Sequence, residues 1–198
     1  VEPGVRRFGF DDYWAAYNCN HDYFDCKYYL DDSPELVRER GYDADVQTRQ
    51  AIEFLERFQD DPFCLFLSWG PPHAPYRLHQ TFVSRLGIPK QGASRSDRYD
   101  TEVAFADREV GRLLTGVENR LGRANLLVVF VADHGESLGE HDFYFEHGFY
   151  AYEPSLRVPL LIKLPGQEAA RVVPDQVSNL DILPTIAGLV GLTLESPT

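Results

Sequence analysis

The run Leu126-Leu127-Val128-Val129-Phe130-Val131-Ala132 is apolar at every position and leads straight into Asp133-His134-Gly135. Seven apolar residues ended by turn signals suit a strand covered on both faces. A second run, Phe63-Cys64-Leu65-Phe66-Leu67-Ser68-Trp69, has the same character and is bounded by Pro62 and by Gly70-Pro71-Pro72. Amphipathic stretches precede both. From Asp43 to Gln59, Ala44, Ala51, Ile52, Leu55 and Phe58 recur at helical spacing until Asp60-Asp61-Pro62 stops the pattern. From Tyr99 to Leu121, Val103, Ala106, Val110, Leu113, Leu114 and Val117 make a second stripe. Val158 to Lys163 reads as a third strand, with Pro159 near its start. Asp181 to Val190 reads as a short closing helix, with Asp181 near its N-cap and Pro184 in its first turn. Strands alternating with helices predict an α/β fold, a mostly parallel sheet flanked by helices. In such sheets the reactive groups gather past the carboxyl ends of strands.

Composition narrows the partners. The 198 residues are 43% hydrophobic, enough for one real core, and no run approaches the ~20 apolar residues of a membrane span. A net charge of −12 argues against a nucleic-acid binder, which needs a Lys/Arg face. An anionic small substrate stays open, because a bound dication reverses the local field. Cys19, Cys26 and Cys64 form neither a CxxC pair nor a disulfide ladder and read as buried thiols, although a Cys19–Cys26 bridge is possible. The first 32 residues carry nine aromatics interleaved with aspartates and show no clean period. They predict an irregular packed loop region, or a sugar platform. Val1-Glu2-Pro3-Gly4 shows neither a start Met nor a signal sequence, so the expectation is a chain that begins inside a longer protein.

Two predicted strand ends carry chemistry. Asp133 and His134 sit at the tip of the best-defined strand, and a turn at Gly135 can bring both side chains to one ion. Between Asp133 and His147 lie five acids and three of the six histidines (His134, His141, His147), with no Lys or Arg. Such a segment favours a cation. It also fits a solvated acidic loop. His73, among Pro71, Pro72 and Pro75, is aimed rather than mobile and could donate a proton to a leaving group.

Taken together, these pieces resemble the sulfatases of the alkaline phosphatase superfamily. Gly9-Phe10-Asp11 is similar to the family's "GFD" segment. Pro62–Trp69 leading into Pro72-His73-Ala74-Pro75-Tyr76 is similar to its strand and "PHxPY" turn. Val131-Ala132-Asp133-His134-Gly135-Glu136, Gly139-Glu140-His141 and Arg157-Val158-Pro159-Leu160-Leu161-Ile162 resemble "SDHGE…GEH…RVPLII". Asn179-Leu180-Asp181-Ile182-Leu183-Pro184-Thr185 resembles the closing "DxxPT" helix. The resemblance implies a sulfuric ester hydrolase acting on a small-molecule or carbohydrate sulfate ester. It implies Asp133 and His134 as metal ligands for a divalent cation, usually Ca2+. His73 matches the histidine that contacts the ester near the leaving oxygen, and His147 falls where a Lys or His contacts the sulfate. His141 is expected as a supporting loop residue. Export to the periplasm or cell exterior is the family habit.

The resemblance also implies a formylglycine nucleophile, made from a Cys/Ser-x-Pro-x-Arg motif. No such motif occurs here: Cys64 is followed by Leu-Phe-Leu and Ser155 by Leu-Arg-Val. The family's early pair of metal-binding aspartates is not identifiable either. Residues 1–198 are therefore expected to be a single partial sulfatase-like domain, inactive alone. A phosphodiester or phosphonate monoester hydrolase would share these motifs. A non-catalytic module binding a cation or a glycan is the reading from another class. A zinc hydrolase built on His134, His141 and His147 is disfavoured, since their spacing is not a helical HExxH pattern.

Overall fold

The first amphipathic pattern folds as expected. In the computed structural model, which describes residues 7–17, 20–89, 91–122, 124–142 and 145–194, α1 spans Asp43–Phe58. Its buried face is Ala44, Val46, Thr48, Gln50, Ala51, Phe54 and Leu55. α2 is a short turn at Gln80–Val83, and α3 runs Arg95–Leu121. α3 starts four residues before the apolar stripe predicts, because Ser94 caps it. The Ser94 hydroxyl accepts from the Asp97 N–H at 3.0 Å, and the Asp97 carboxylate accepts from the Ser94 N–H at 2.7 Å. The Ser94 hydroxyl, donating to the Asp97 carboxylate at 2.7 Å, and then the Ser94 N–H hold that carboxyl below its usual range. Gly122, with φ +67°, ends the helix.

The described residues fall into two compact units, one up to Asn125 and one from Leu126 on. In the first unit α1 packs on α3. Gly116 permits the approach: a Cβ there would lie 3.3 Å from Ile52 Cγ1. Arg112 and Arg120 of α3 pair with Asp45 and Glu56 of α1. The core joins Tyr23, Tyr42, Ala44, Phe82 and Phe105, with Trp69 and Ala104 packed against it.

The aromatic opening differs from the irregular loop expected. β1 (Ala15–Ala16), β2 (Asp25–Leu30) and β3 (Leu36–Arg40) form an antiparallel sheet in the order β1-β2-β3. Asp31, with φ +48°, turns the chain after β2, and its carboxylate accepts from the Trp14 N–H at 2.9 Å. The signal was masked because β2, Asp-Cys-Lys-Tyr-Tyr-Leu, alternates poorly; its only fully buried residue is Cys26. Cys19 lies outside the described residues.

The Phe63–Trp69 run also differs from expectation. It is extended, but among the described residues it pairs with no strand. Phe63, Leu65, Leu67 and Trp69 are half-buried, while Cys64, Phe66 and Ser68 point to solvent, Phe66 being 76% exposed. One face packs on the unit and the other does not.

In the second unit β4 (Val128–Val131) pairs antiparallel with β5 (Leu160–Lys163), Val129 opposite Ile162. Both strands fall inside their predicted runs. A parallel partner needs a crossover from another strand; among the described residues every ladder is antiparallel. α4 (Glu153–Leu156) is a single turn. A 3-10 turn at Asn179–Asp181 leads into α5 (Ile182–Leu189). Asp181 is the N-cap residue of α5, as expected, but its carboxylate turns back to close the capping box of the 3-10 turn, accepting from the Ser178 N–H at 2.8 Å. Among the described residues no helix is long and apolar enough to cross a membrane.

Candidate active site

In the first unit the predicted site residue His73 lies in the turn that follows Trp69. Two cis prolyl peptides, Pro71–Pro72 and Ala74–Pro75, bracket His73. The turn closes with the His73 N–H on the Gly70 carbonyl at 3.1 Å. Tyr23, almost fully buried, fastens it from the side. Its hydroxyl donates to the His73 carbonyl at 3.0 Å, and its ring lies against Gly70, where a Cβ would come within 2.8 Å of Tyr23 Cε1. Only glycine fits there. The His73 ring donates from Nδ1 to the Ala74 carbonyl at 2.7 Å, which leaves Nε2 as the nitrogen directed elsewhere. Behind the turn, the fully buried Glu102 accepts from the Arg77 N–H at 2.6 Å, from His79 Nε2 at 2.9 Å and from the Tyr42 hydroxyl. Burial, and then this bond to Glu102, push the Tyr42 phenol far above its usual range. The turn therefore rests on a satisfied buried network.

In the second unit the chain leaves β4 at Val131 and enters Asp133-His134-Gly135-Glu136. Gly135 is pressed onto α4. Its N–H donates to the Ser155 carbonyl at 2.8 Å, and an added Cβ would fall 2.0 Å from the Pro154 carbonyl oxygen. That contact fixes the path of the loop. Asp133 turns outward, its side chain 92% exposed, and its Oδ1 accepts from the His134 N–H at 3.0 Å. His134 donates from Nδ1 to the Gly135 carbonyl at 2.8 Å, so Nε2 carries the lone pair in the neutral ring. Nε2 stands 3.9 Å from Asp133 Oδ1. Two donors bound to one cation at about 2.0–2.6 Å each can be separated by such a distance. The pair fits half of a metal site. Among the described residues no group of three or more His, Cys, Asp or Glu side chains is placed to hold an ion.

His147 comes back onto this pair. Its ring stacks on His134 with centroids 3.8 Å apart and planes 24° apart. Its Nδ1 donates to Glu136 Oε1 at 3.0 Å, and Glu136 is only 9% exposed. The loop between is braced internally. Ser137, fully buried, donates its N–H to the Glu146 carbonyl at 3.2 Å, and Leu138 N–H donates to Glu140 Oε2 at 2.6 Å. Backbone N–H groups, its own first and then that of Leu138, hold the Glu140 carboxyl below its usual range. His141 turns away and stacks on Tyr152 at 3.8 Å.

Asp133, His134 and His147 thus converge, and a carboxylate orients the last of them. Glu136 stood inside the sequence motif without a role. The signal available was a carboxylate two residues past His134, but nothing in the spacing ties it to a histidine eleven positions on. His21 was missed as well; its ring centroid lies 4.2 Å from that of His73.

A model of the Sulfatase family matches residues 2–192. The chain is 31% identical to the ulvan-active sulfatase of Formosa agariphila, over 97% of this chain and 41% of that protein. Among solved structures it is similar to the putative sulfatase yidJ of Bacteroides fragilis, with a TM-score of 0.79 and 25% identity over 94% of this chain and 45% of that one. It is also similar to Ps i-CgsB, solved in complex with k-i-k-neocarrahexaose. There the TM-score is 0.69, with 27% identity over 86% of this chain and 38% of that one. The chain spans about two fifths of the length of these relatives. The mixed α/β fold is that of the sulfatase neighbours, of the alkaline phosphatase-like class.

Proposed function

The chain belongs to the sulfatase family, and from that premise we propose that it supplies part of the active site of a sulfuric ester hydrolase that releases inorganic sulfate from a carbohydrate sulfate monoester. The observation that carries this reading is the convergence of Asp133, His134 and His147 on the rigid strand-end loop, with Glu136 behind them. Support for a carbohydrate substrate comes from the ulvan-active relative and from the neighbour that holds a neocarrahexaose.

Asp133 Oδ1 and His134 Nε2 would hold a divalent cation, calcium by family habit; when bound it offsets charge on the sulfate oxygens. The neutral imidazole is a softer donor than the oxygens calcium prefers, so zinc or manganese competes for the same pair. His147 keeps its Nδ1–H, donated as a hydrogen bond to Glu136, and would present Nε2 to the sulfate. As an imidazolium, balanced by Glu136, it donates there to a developing negative charge. By the family resemblance, His73 would present its Nε2 to the bridging oxygen. Protonated at Nε2, it hands that proton to the departing alkoxide and returns to the neutral ring bonded to Ala74. The family's formylglycine nucleophile has no precursor motif in these 198 residues, so it would be contributed by sequence outside them.

The test is sulfate release by the intact protein, matured with its nucleophile, from matched sulfate and phosphate monoesters. Sulfate release that is lost on chelation and restored by a dication is expected. Phosphate release with no sulfate release overturns the assignment. His73→Ala should lose more turnover on alkyl and sugar esters than on activated aryl esters; equal losses remove the leaving-group role from His73.

A further inference from the structure

His21 lies in the aromatic opening segment, far in sequence from any of the motifs that point to chemistry. The fold nevertheless brings its ring against His73, with centroids 4.2 Å apart and planes inclined at 46°. The loop that carries it is fixed at both ends. Asn20 accepts from the Asp22 N–H at 3.2 Å through its side-chain oxygen and donates to the Asp22 and Asp25 carbonyls, each at 3.3 Å. Tyr23, two residues on, is buried and bonded through its hydroxyl to the His73 carbonyl. Loop and turn are therefore tied together, and that tie carries the two imidazoles side by side. His73 is half-buried and has its Nδ1 engaged by Ala74, whereas His21 faces solvent.

We propose that His21 is a substrate-contacting residue on the alcohol side of the ester, and that it hydrogen-bonds a hydroxyl next to the sulfated carbon. This rests on the sulfatase reading and on the place of His73 at the bridging oxygen. An ester oxygen within hydrogen-bond reach of His73 Nε2, about 3 Å, carries its carbon skeleton past the neighbouring ring, because 4.2 Å between centroids is less than the width of a sugar. Imidazole both donates and accepts, which matches a hydroxyl in either sense. A pair of imidazoles at this spacing thus reads two adjacent oxygens, one bridging to sulfur and one free. The substrate class that follows is a sulfate ester with a vicinal hydroxyl, as in a saccharide, rather than a simple aryl or alkyl sulfate.

The experiment compares wild type, His21→Ala and His21→Gln in the intact, matured protein. The substrates are a set of hexose monosulfates, differing in sulfate position, and 4-nitrophenyl sulfate. His21→Ala should raise KM for the preferred hexose sulfate, and its loss in kcat/KM there should exceed its loss on the aryl ester by tenfold or more. His21→Gln, which keeps a donor and an acceptor, should recover part of the difference. Thermal melts identify a variant that fails to fold. For that case, the ring resonances of His21 in the wild-type protein are followed by NMR during titration with the same hexose sulfate and with inorganic sulfate; only the hexose sulfate should shift them. Equal losses on both substrates, no loss on either, or identical shifts from both titrants overturn the inference while leaving the sulfatase reading intact. A wild-type protein that releases sulfate from no ester overturns the reading and the inference together.

Discussion

Replacing Glu136 by glutamine changes one charge and almost no volume, and it isolates what the buried carboxylate does for His147. In the wild-type structure Glu136, 9% exposed, accepts the Nδ1 proton of His147 at 3.0 Å. A hydrogen bond with one ionised partner contributes about 1.5–3 kcal/mol, against about 0.5–1.5 kcal/mol for a neutral one. The amide oxygen of glutamine can still accept, so the loss is the difference, roughly 1.4 kcal/mol, or about tenfold in kcat/KM if His147 contacts the sulfate as proposed. Glu136→Ala also strands the Nδ1–H, a further cost of about 1–3 kcal/mol, so it should fall roughly a hundredfold. Sulfate release by the intact protein gives kcat and KM, and nitrogen NMR of the His147 ring reports its tautomer. The reasoning fails if Glu136→Gln matches wild type in both readouts, or if glutamine and alanine are equivalent.

Four further outcomes follow from particular contacts. Asp133→Ala should remove bound metal from the intact protein, and with it nearly all turnover, while shifting stability by less than about 0.5 kcal/mol, since the side chain is 92% exposed; metal analysis beside a denaturant curve checks both parts. Gly135→Ala drives a methyl onto the Pro154 carbonyl and should destabilise by about 1–3 kcal/mol; an unchanged midpoint would show that the loop can shift aside. Gly70→Ala should displace the Tyr23 ring, so a crystal structure of the variant that kept the 3.0 Å Tyr23–His73 bond would contradict the clamp. Burial, followed by the Asp43 carboxylate, pushes the Cys26 thiol up to about 12. At pH 8.5 it is then protonated in all but roughly one molecule in three thousand, against about half ionised for an ordinary thiol. Alkylation mapped by mass spectrometry should reach Cys26 only after unfolding, and fast labelling in the native state would refute its burial.

Much of this was legible in the residues, for reasons that differ by element. α1 and α3 were readable because each is long and has one apolar stripe, and long periodic patterns survive tertiary context. β4 and β5 were readable because uniform Leu, Val and Ile runs leave few alternatives. β2 was not, because a strand built from Asp, Cys, Lys and two tyrosines packs by ring contacts rather than by alternation; Tyr29 stacks on Tyr17 at 6.1 Å. The composition of Phe63–Trp69 predicts cover on both faces, yet Phe66 is open to solvent; apolar composition records what a segment can bury, not what lies against it. At the site, Asp133, His134 and His147 were visible as residue types within one short segment. Glu136 as an orienting group and His21 as a neighbour of His73 depend on the path of the backbone through Gly135 and on the Tyr23 clamp, and no spacing rule encodes either.

The face-to-face rings of His134 and His147 have a mechanical consequence. Two flat groups in van der Waals contact cannot tilt independently, so an ion that stiffened His134 would also narrow the swing of its stacked neighbour. On the proposed reading, loading a cation and readying the anion cradle would be one event, and removing the metal would weaken the hold on the substrate as well as remove charge.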